Sequence, residues 1–289
     1  MKETVFYFPI TPLRSPYYQL AVEEAISLHL VSEGLTAGVR FWKNPESIIL
    51  GLSENPYRNI KDTVVANFEK FVETNSFHKK PEPNLCYIAR RASGGGTVYH
   101  SPTGNVNYSI YINLNERKEF FPVRESYELL LGFVKDSLAK QNLNVEKKGK
   151  SDLVFELDGE TKKISGNAQF RKRNCIVQHG TLILEPELIQ TVTNVLNHPP
   201  EEPDYRKERP HKDFLTSLPK QFSLSKWEVD LTNTLRSYLG LEPLAEISEI
   251  SFFGKGFSTF RKRVFQESEI IRKSKYQNPN YTLHREITT

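Results

Sequence analysis

Residues 90–100 read Arg-Arg-Ala-Ser-Gly-Gly-Gly-Thr-Val-Tyr-His, with three consecutive glycines between two strand-like runs. Glycine has no Cβ, so the backbone of such a loop can approach a ligand closely and its unhindered N–H groups can receive an anion. The stretch is not a P-loop, because Gly-Lys-Ser/Thr after a four-residue gap is missing and no helical pattern starts at Gly96. Beside two arginines, this glycine loop predicts an anion site, with a plain turn as the alternative.

A second informative stretch is Lys162-Lys163-Ile164-Ser165-Gly166-Asn167-Ala168-Gln169, which is followed by Gln178-His179-Gly180-Thr181. Lys163 lies among small residues on a predicted strand, so its stem can cross a pocket floor and present the ammonium to a phosphate or carboxylate. A solvated strand lysine and a structural histidine are the alternative interpretations of Lys163 and His179.

The rest of the chain predicts helices interspersed among mostly adjacent antiparallel strands, which favours an α+β fold. Apolar residues at spacings of three and four predict helices at 16–32, 60–72, 127–138 and 226–239. Alternating or continuous apolar runs predict strands at 5–10, 38–42, 47–52, 85–92, 105–114, 153–157, 162–169 and 175–184. Residues 38–42 and 47–52 are expected to form a hairpin through Asn44-Pro45, and 252–260 a strand or hairpin.

Local signals refine these elements. Ser15-Pro16 predicts the start of the first helix, and Ser225 to Glu228 reads as the capping box of the last one. Glu23 and Glu24 are either a solvated edge of the first helix or functional carboxylates. Residues 76–84 and 201–212 are rich in proline and polar residues, as exposed loops are.

Composition excludes several classes of protein. The chain has 289 residues, of which 38% are hydrophobic and 26% charged, and no run approaches the roughly 20 apolar residues of a membrane span. Residues 1–10 lack the pattern of a secretory signal, which predicts a cytoplasmic protein without membrane contact. The net charge of +4 does not single out nucleic acid, and the basic clusters 171–173 and 261–263 are interpreted as solvated faces. Two cysteines are too few for a disulfide framework or zinc site.

Taken together, the motifs resemble the biotin/lipoate ligase and acyltransferase superfamily, and within it the lipoate-protein ligase and lipoyl(octanoyl)transferase family. The matching residues lie in the family's order over about half the chain: Arg40 to Pro45, Gly51, Asn55 to Tyr57, Arg90 to His100, Gly104-Asn105, Ser151 to Leu153, Lys163 to Ala168 and His179-Gly180. Leu52 departs from the pattern, since the family commonly has a basic residue there.

The resemblance implies a central, mainly antiparallel sheet flanked by helices, with a bent pocket for an acyl chain and AMP. It implies a catalytic domain at 1–245, with 246–289 as an extension packed on it and no separate accessory domain. Lys163 would be the catalytic residue and would contact both the acyl carbonyl and the phosphate. The residues expected to hold the adenylate or ATP are Arg91, Gly96, Thr97, Val98, Tyr99 and Lys163. Those expected at the lipoate or octanoate chain are Trp42, Ser93, Gly94, Gly95, His100, Ser165, Gly166, His179 and Gly180. Asp152 matches an acidic position where Mg²⁺ is expected.

The implied activity is that of an ATP-dependent lipoate-protein ligase, which joins lipoate or octanoate to AMP and passes the acyl group to a lysine. The implied acceptors are apo lipoyl domains of 2-oxoacid dehydrogenase acyltransferase subunits or the glycine cleavage H protein. A separate accessory subunit is a further partner that the resemblance leaves open.

Two alternatives remain. A transferase acting from a carrier protein would need a cysteine thioester, but Lys148 to Asp152 and Asn197 to Pro200, where relatives hold that cysteine, contain none. Cys175 is four residues before His179, about 13 Å away at ~3.3 Å per strand residue, and Cys86 lies in an apolar run. A transferase using preformed acyl-AMP and a non-catalytic acyl-protein binder also stay open.

Overall fold

The computed structural model describes residues 4–74, 86–245 and 251–286. The strands in chain order are β1 (Val5–Phe8), β2 (Ala37–Trp42), β3 (Ser47–Leu50), β4 (Tyr87–Arg90), β5 (Val98–His100), β6 (Asn105–Asn113), β7 (Glu146–Lys148), β8 (Asp152–Leu157), β9 (Glu160–Lys172) and β10 (Cys175–Ile183). The α-helices are α1 (Pro16–His29), α2 (Pro56–Asn59), α3 (Asp62–Glu73), α4 (Val123–Ala139), α5 (Glu187–Val195), α6 (His211–Phe214), α7 (Leu224–Tyr238), α8 (Ser258–Ile271) and α9 (Pro279–His284).

A seven-stranded sheet in the order β1-β2-β6-β10-β9-β8-β7 forms the centre of the protein. Its neighbours pair antiparallel except for β1 and β2, which are parallel. The α+β class and the mainly antiparallel sheet flanked by helices are therefore confirmed. Asp158-Gly159 forms the turn that connects β8 to β9, and both residues have the positive φ that such turns favour.

Each face of the large sheet has its own hydrophobic core, because side chains alternate along a strand. On β1, Val5 and Tyr7 join the core under α4 and α7, whereas Phe6 and Phe8 join the core under α1 and α8. Trp227 of α7 is fully buried in the first of these cores. The candidate site lies on the opposite face.

The strand predicted at 105–114 exists as β6, and all of its residues are buried. Val106, Tyr108 and Ile110 face the core under α4 and α7, as the period of two indicates. The opposite face of β6 carries Asn107 and Ser109, and these polar residues are buried as well. A row of buried polar side chains therefore lines the side of the sheet that faces α1.

The predicted hairpin of 38–42 with 47–52 is wrong. β2 belongs to the large sheet, whereas β3 is the centre of a separate three-stranded sheet in the order β4-β3-β5. Ile48, Ile49 and Leu50 are all fully or almost fully buried, which shows that β3 is covered on both faces. On its two edges β3 pairs with β4 and with β5. The two sheets meet near the turn that follows Trp42.

The strand or hairpin expected at 252–260 is also wrong, because a 3₁₀ turn (Lys255–Phe257) and α8 occupy this region. Within residues 251–260, which are all described, only Ser251 makes a strand-like bridge, and this bridge is parallel to Tyr7. The buried apolar residues of α8, Phe260, Val264 and Ile271, recur at helical spacing, and α8 packs along α1. Aromatic residues favour strands in isolation, and burial against α1 overrides that preference.

Other predictions need smaller corrections. The capping serine of α7 is Ser223, whose side chain accepts from the N–H of Lys226, so the predicted box at Ser225 is wrong. The basic cluster 171–173 is not simply solvated, since Arg171 donates to the carbonyls of Phe120 and Phe121. Ser15 caps α1 as predicted, and α1 ends at His29 rather than at 32. Loop 76–84 and the first residue of the strand predicted at 85–92 lie outside the described residues.

The residues after Ser251 are joined to the rest of the chain by buried polar contacts. Glu24 is buried, so it is not a solvated edge, and it pairs with Lys172 and with Lys275 and accepts from the hydroxyl of Tyr276. Arg90 donates to carbonyls at the end of α9 as well as to those of the loop after β3. No helix among the described residues is long and apolar enough to span a bilayer.

Candidate active site

A cavity of about 620 Å³ lies on the polar side of the large sheet, with walls from both sheets, α5 and the loop that runs from Leu196 to Leu215. Most predicted site residues line it: Trp42, Arg91, Gly95, Gly96, Thr97, Val98, Tyr99, His100, Asp152, Lys163, Ser165, Gly166, His179 and Gly180. Ser93 and Gly94 do not. Ser93 is buried behind the wall, and Gly94 is exposed to solvent and is not part of the cavity lining.

Arg91 holds the glycine loop from inside the protein. Its Nη2 donates to the carbonyls of Gly94 and Gly96 over 2.6 and 2.9 Å, and its Nε donates to Ser93 Oγ over 2.9 Å. Burial lowers the pKa of Arg91 to about 10. Gly95 has φ +83°, a conformation that L side chains rarely adopt, so glycine is required at the centre of the loop.

Lys163 extends from β9 along the cavity wall. Its Nζ pairs with Asp152 Oδ1 at 2.8 Å, and Asp152 Oδ2 accepts from the hydroxyl of Tyr205 at 2.7 Å. A Cβ at Gly166 would lie 3.1 Å from Nζ, so glycine there leaves room for the ammonium. Since one of its three N–H bonds points to Asp152, the ammonium can donate to a ligand with the other two.

His179 is bonded through both ring nitrogens. Its Nε2 is 2.7 Å from Ser93 Oγ and its Nδ1 is 2.9 Å from Glu23 Oε2. Glu23 comes from α1 and also accepts from Ser109 Oγ at 2.5 Å. Burial would raise the pKa of Glu23, but His179, Ser109 and Arg40 together hold it below the usual value, so this carboxylate is ionised at neutral pH.

A second polar chain crosses the cavity wall at His100. Asn44 Nδ2 is 3.0 Å from His100 Nδ1, and His100 Nε2 is 3.1 Å from Thr181 Oγ1. Thr181 in turn donates to Asn107 Oδ1 over 2.7 Å. Burial, with smaller effects from Arg91 and His179, lowers the pKa of His100 to about 3, so the ring is neutral. Trp42 lies edge-on to this ring, with 6.0 Å between the ring centroids.

Sequence reasoning missed the part of the wall that follows β10. Leu188 and Val192 of α5 give it an apolar side, and the loop 196–215 adds Arg206 and Phe214. Arg206 is buried, its guanidinium lies 4.6 Å over the Phe214 ring, and its Nη2 has no hydrogen-bond partner among the described residues. The only signal was a proline-rich, charged stretch, which indicated a plain loop.

The two thiols are away from the cavity. Cys175 is fully buried and burial raises its pKa, while burial raises the pKa of the half-buried Cys86 to about 12. Neither cysteine lines the cavity, whose walls are all described residues. The arrangement thus offers fixed positive charge and loop N–H groups for an anion, and no activated thiol.

A family model for the lipoyl protein ligase A/B catalytic domain matches residues 15–233 of this chain. The chain belongs to this family. The match includes every residue that the sequence analysis assigned to the site, as well as Glu23 and the loop 196–215. The family predicted from motifs at 40–180 is confirmed.

Among curated proteins, this family member is similar to lipoate-protein ligase LplJ of Bacillus subtilis (strain 168). The two are 32% identical over 181 residues, which cover 63% of this chain and 46% of LplJ. The chain therefore spans a little under half the length of that relative.

Solved structures of the same fold cover nearly the whole chain. A bipartite lipoate protein ligase with its E2 lipoyl domain from Thermoplasma acidophilum superposes with a TM-score of 0.70 at 15% identity, over 100% of this chain and 99% of that one. Lipoate-protein ligase A bound with ATP gives a TM-score of 0.64 at 16% identity, over 98% and 99% of the two chains. At such low identity these matches establish the fold alone.

Proposed function

We propose that this protein activates lipoate or octanoate with ATP to an acyl-AMP and transfers the acyl group to a lysine of an apo lipoyl domain. The observation that carries the proposal is the position of Lys163. Its ammonium lies on the wall of a cavity that the glycine loop also lines, where one group can contact both a carboxylate and a phosphate. The cavity of about 620 Å³ lies within the ~300–1,000 Å³ of small-molecule sites.

In the first step the acid's carboxylate attacks the α-phosphorus of ATP, and pyrophosphate leaves. A carboxylate is a poor acylating agent, and the mixed anhydride makes its carbonyl reactive. Lys163 offsets the negative charge that develops on the phosphate oxygens, an effect that is strong in a partly dry site. The glycine loop supplies backbone N–H donors to the same oxygens.

In the second step the neutral amine of the acceptor lysine attacks the acyl carbonyl, AMP leaves with the electron pair of the broken C–O bond, and the proton lost by the amine passes to solvent. Lys163 again stabilises the oxygen that gains charge. No side-chain nucleophile takes part. This matches the raised thiol pKa of both cysteines and their positions away from the cavity wall, and it favours the ligase over a transferase that forms a cysteine thioester.

Magnesium fits this site as a companion of ATP rather than as a resident ion. The described residues contain no cluster of three His, Cys, Asp or Glu side chains that could hold a metal. Asp152 is the predicted ligand, and both of its oxygens already contact protein groups. Mg²⁺ commonly binds through one carboxylate plus substrate phosphates, and Asp152 would supply that carboxylate.

The test is to incubate the purified protein with Mg²⁺, ATP and lipoate or octanoate, and to look for acyl-AMP by mass spectrometry. We expect acyl-AMP only when ATP and the acid are both present. An apo lipoyl domain added next should gain one acyl group. The structural study of a bipartite lipoate protein ligase and its E2 lipoyl domain from Thermoplasma acidophilum motivates this choice of acceptor.

The alternative function, an acyltransferase, is tested in the same experiment. An acyl-carrier thioester without ATP should give no acylated acceptor, and a variant with Cys86→Ala and Cys175→Ala should retain ligase activity. If acylation required the thioester and the double variant lost it, a cysteine-dependent transferase would be the correct assignment. If the protein transferred the acyl group from added acyl-AMP but did not synthesise acyl-AMP, only the second step of the proposed reaction would be assigned to it.

A further inference from the structure

A continuous chain of hydrogen bonds leads from helix α1 to the glycine loop. It begins at the Glu23 carboxylate, which is 2% exposed, and reaches Ser93 through the ring of His179. From Ser93 Oγ it continues to Arg91, which donates to the loop carbonyls of Gly94 and Gly96. Glu23 lies outside the sequence motifs that predict the site. It is nevertheless the only charged hydrogen-bond acceptor in this chain of contacts.

The proton between Glu23 and His179 has a definite position. An ionised Glu23 can only accept, so His179 Nδ1 carries the proton that it receives. The Oγ of Ser93 lies 2.7 Å from His179 Nε2 and accepts from Nε–H of Arg91. Ser93 is therefore held between the imidazole that Glu23 orients and the guanidinium that binds the loop carbonyls.

The consequence for the loop follows from peptide geometry. In a planar trans peptide the C=O and N–H point in opposite directions. With the carbonyls of Gly94 and Gly96 held towards Arg91, the N–H groups of Gly95 and Thr97 must point away from the guanidinium. Gly95 and Thr97 both line the cavity. Fixing two carbonyls therefore fixes two potential donors to a ligand.

We propose that Glu23 is a positioning residue for the acyl-activation reaction, acting through His179, Ser93 and Arg91 to orient the glycine loop. The inference deepens the proposed function and rests on it. Glu23 does not line the cavity. It sets the geometry of groups that do, and a preorganised set of donors costs no reorganisation when charge develops.

Helix α1 offers a matched control in the next residue. Glu24 is also buried, but its contacts, Lys172, Lys275 and Tyr276, lead away from the cavity. Glu23→Gln and Glu24→Gln each remove one buried negative charge from the same helix at nearly constant volume. A general loss of stability would affect both, and a loss of loop orientation would affect only the first.

The decisive measurement is a double-mutant cycle of Glu23→Gln with Ser93→Ala on acyl-AMP formation. We expect each single variant to lower kcat about tenfold to hundredfold, the range for a hydrogen bond to a charged group, with a smaller change in KM for ATP. The kcat of the double variant should be no lower than that of the less active single variant, because both changes break the same chain of hydrogen bonds. Glu24→Gln should lower the unfolding midpoint and leave kcat unchanged.

Additive effects, or equal losses of kcat in the two glutamine variants, would overturn the inference. If Glu23→Gln does not fold, Ser93→Ala paired with His179→Gln gives the same cycle on two links of the chain. If the wild type binds lipoate in a calorimeter but forms no acyl-AMP, the proposed function fails. The cycle measured on lipoate affinity then decides the positioning role alone: coupled effects support it and additive effects refute it.

Discussion

Lys162 and Lys163 are adjacent on β9, and successive side chains of a strand point to opposite sides. Lys163 contacts Asp152 at the cavity, whereas Lys162 pairs with Glu160 near the hairpin turn. We expect Lys163→Ala to lower acyl-AMP formation at least about a hundredfold, the typical loss when one stabilising group is removed from a site of developing charge.

Lys162→Ala is the matched control, and it should change the rate less than about twofold because Lys162 pairs with Glu160 and does not line the cavity. Both variants should unfold at nearly the wild-type midpoint. Unchanged modification of the acceptor by Lys163→Ala would reject the role assigned to this lysine.

His100 makes the stability depend on pH in a definite direction. Its pKa is about 3 in the folded protein and near 6.5 when the chain unfolds, so between these values the unfolded state binds more protons. Stability from this residue is present above pH 6.5 and is lost as pH falls towards 3, with a limiting slope of about 1.4 kcal/mol per pH unit.

Urea unfolding at pH 7 and pH 5 measures this effect, since most carboxylates stay ionised over that range. We expect His100→Gln to lose less stability than the wild type between the two pH values. An identical loss in both proteins would mean that His100 is not neutral in the folded state.

At the scale of the element, the conformation of the glycine loop depends on Gly95 more than on the glycines beside it. Gly95 has φ +83°, whereas a Cβ at Gly94 would meet no atom within 4 Å. We expect Gly95→Ala to cost about 1–2 kcal/mol in the bound loop conformation and to weaken ATP binding about tenfold. Gly94→Ala should bind ATP nearly as wild type does, and equal effects in the two variants would contradict this account.

The sequence predicted elements well where a local pattern decides them. Alternation identified the strand at 105–114, and Ser15-Pro16 identified the start of α1, because periodicity and caps act within a few residues. The hairpin predicted after Trp42 is wrong because strand pairing depends on residues that are distant in the sequence. β2 pairs with β6, and β3 pairs with β4. The strand or hairpin predicted at 252–260 is wrong for the same reason, because α8, which begins at Ser258, packs along α1, more than two hundred residues earlier in the sequence.

At the scale of the whole molecule, residues 251–286 are part of the core. Phe252 is fully buried and its ring contacts Phe6, Phe8 and Phe260, whereas Phe253 is 44% exposed. We expect Phe252→Ala to lower the free energy of unfolding by about 3–5 kcal/mol and Phe253→Ala by less than about 1 kcal/mol.

Chemical unfolding of the two alanine variants checks this difference. A small effect of Phe252→Ala would mean that the region after Ser251 can detach without disturbing the sheet. A single transition in the wild type is also expected, since the core under α1 includes residues from β1 to α9.

The candidate site was predictable where its residues form short motifs and not where they are joined across the fold. The short motifs contain many of the residues that line the cavity, including Lys163 and Gly95 and Gly96 of the glycine loop. Glu23 and His179 are 156 residues apart, and no spacing rule brings them together. Arg206 lies in a stretch whose composition indicates only a loop, so its burial over Phe214 had no signal in the sequence.

The two tryptophans of this protein are placed so that one can report on the cavity and the other cannot. Trp42 is part of the cavity wall, beside the neutral ring of His100, while Trp227 is enclosed on the far side of the large sheet by Phe41 and Tyr108. Intrinsic fluorescence should therefore change when lipoate or octanoate enters, and Trp42→Phe should abolish the change. Excitation of the native protein, without any attached dye, would give a titration curve for each acid.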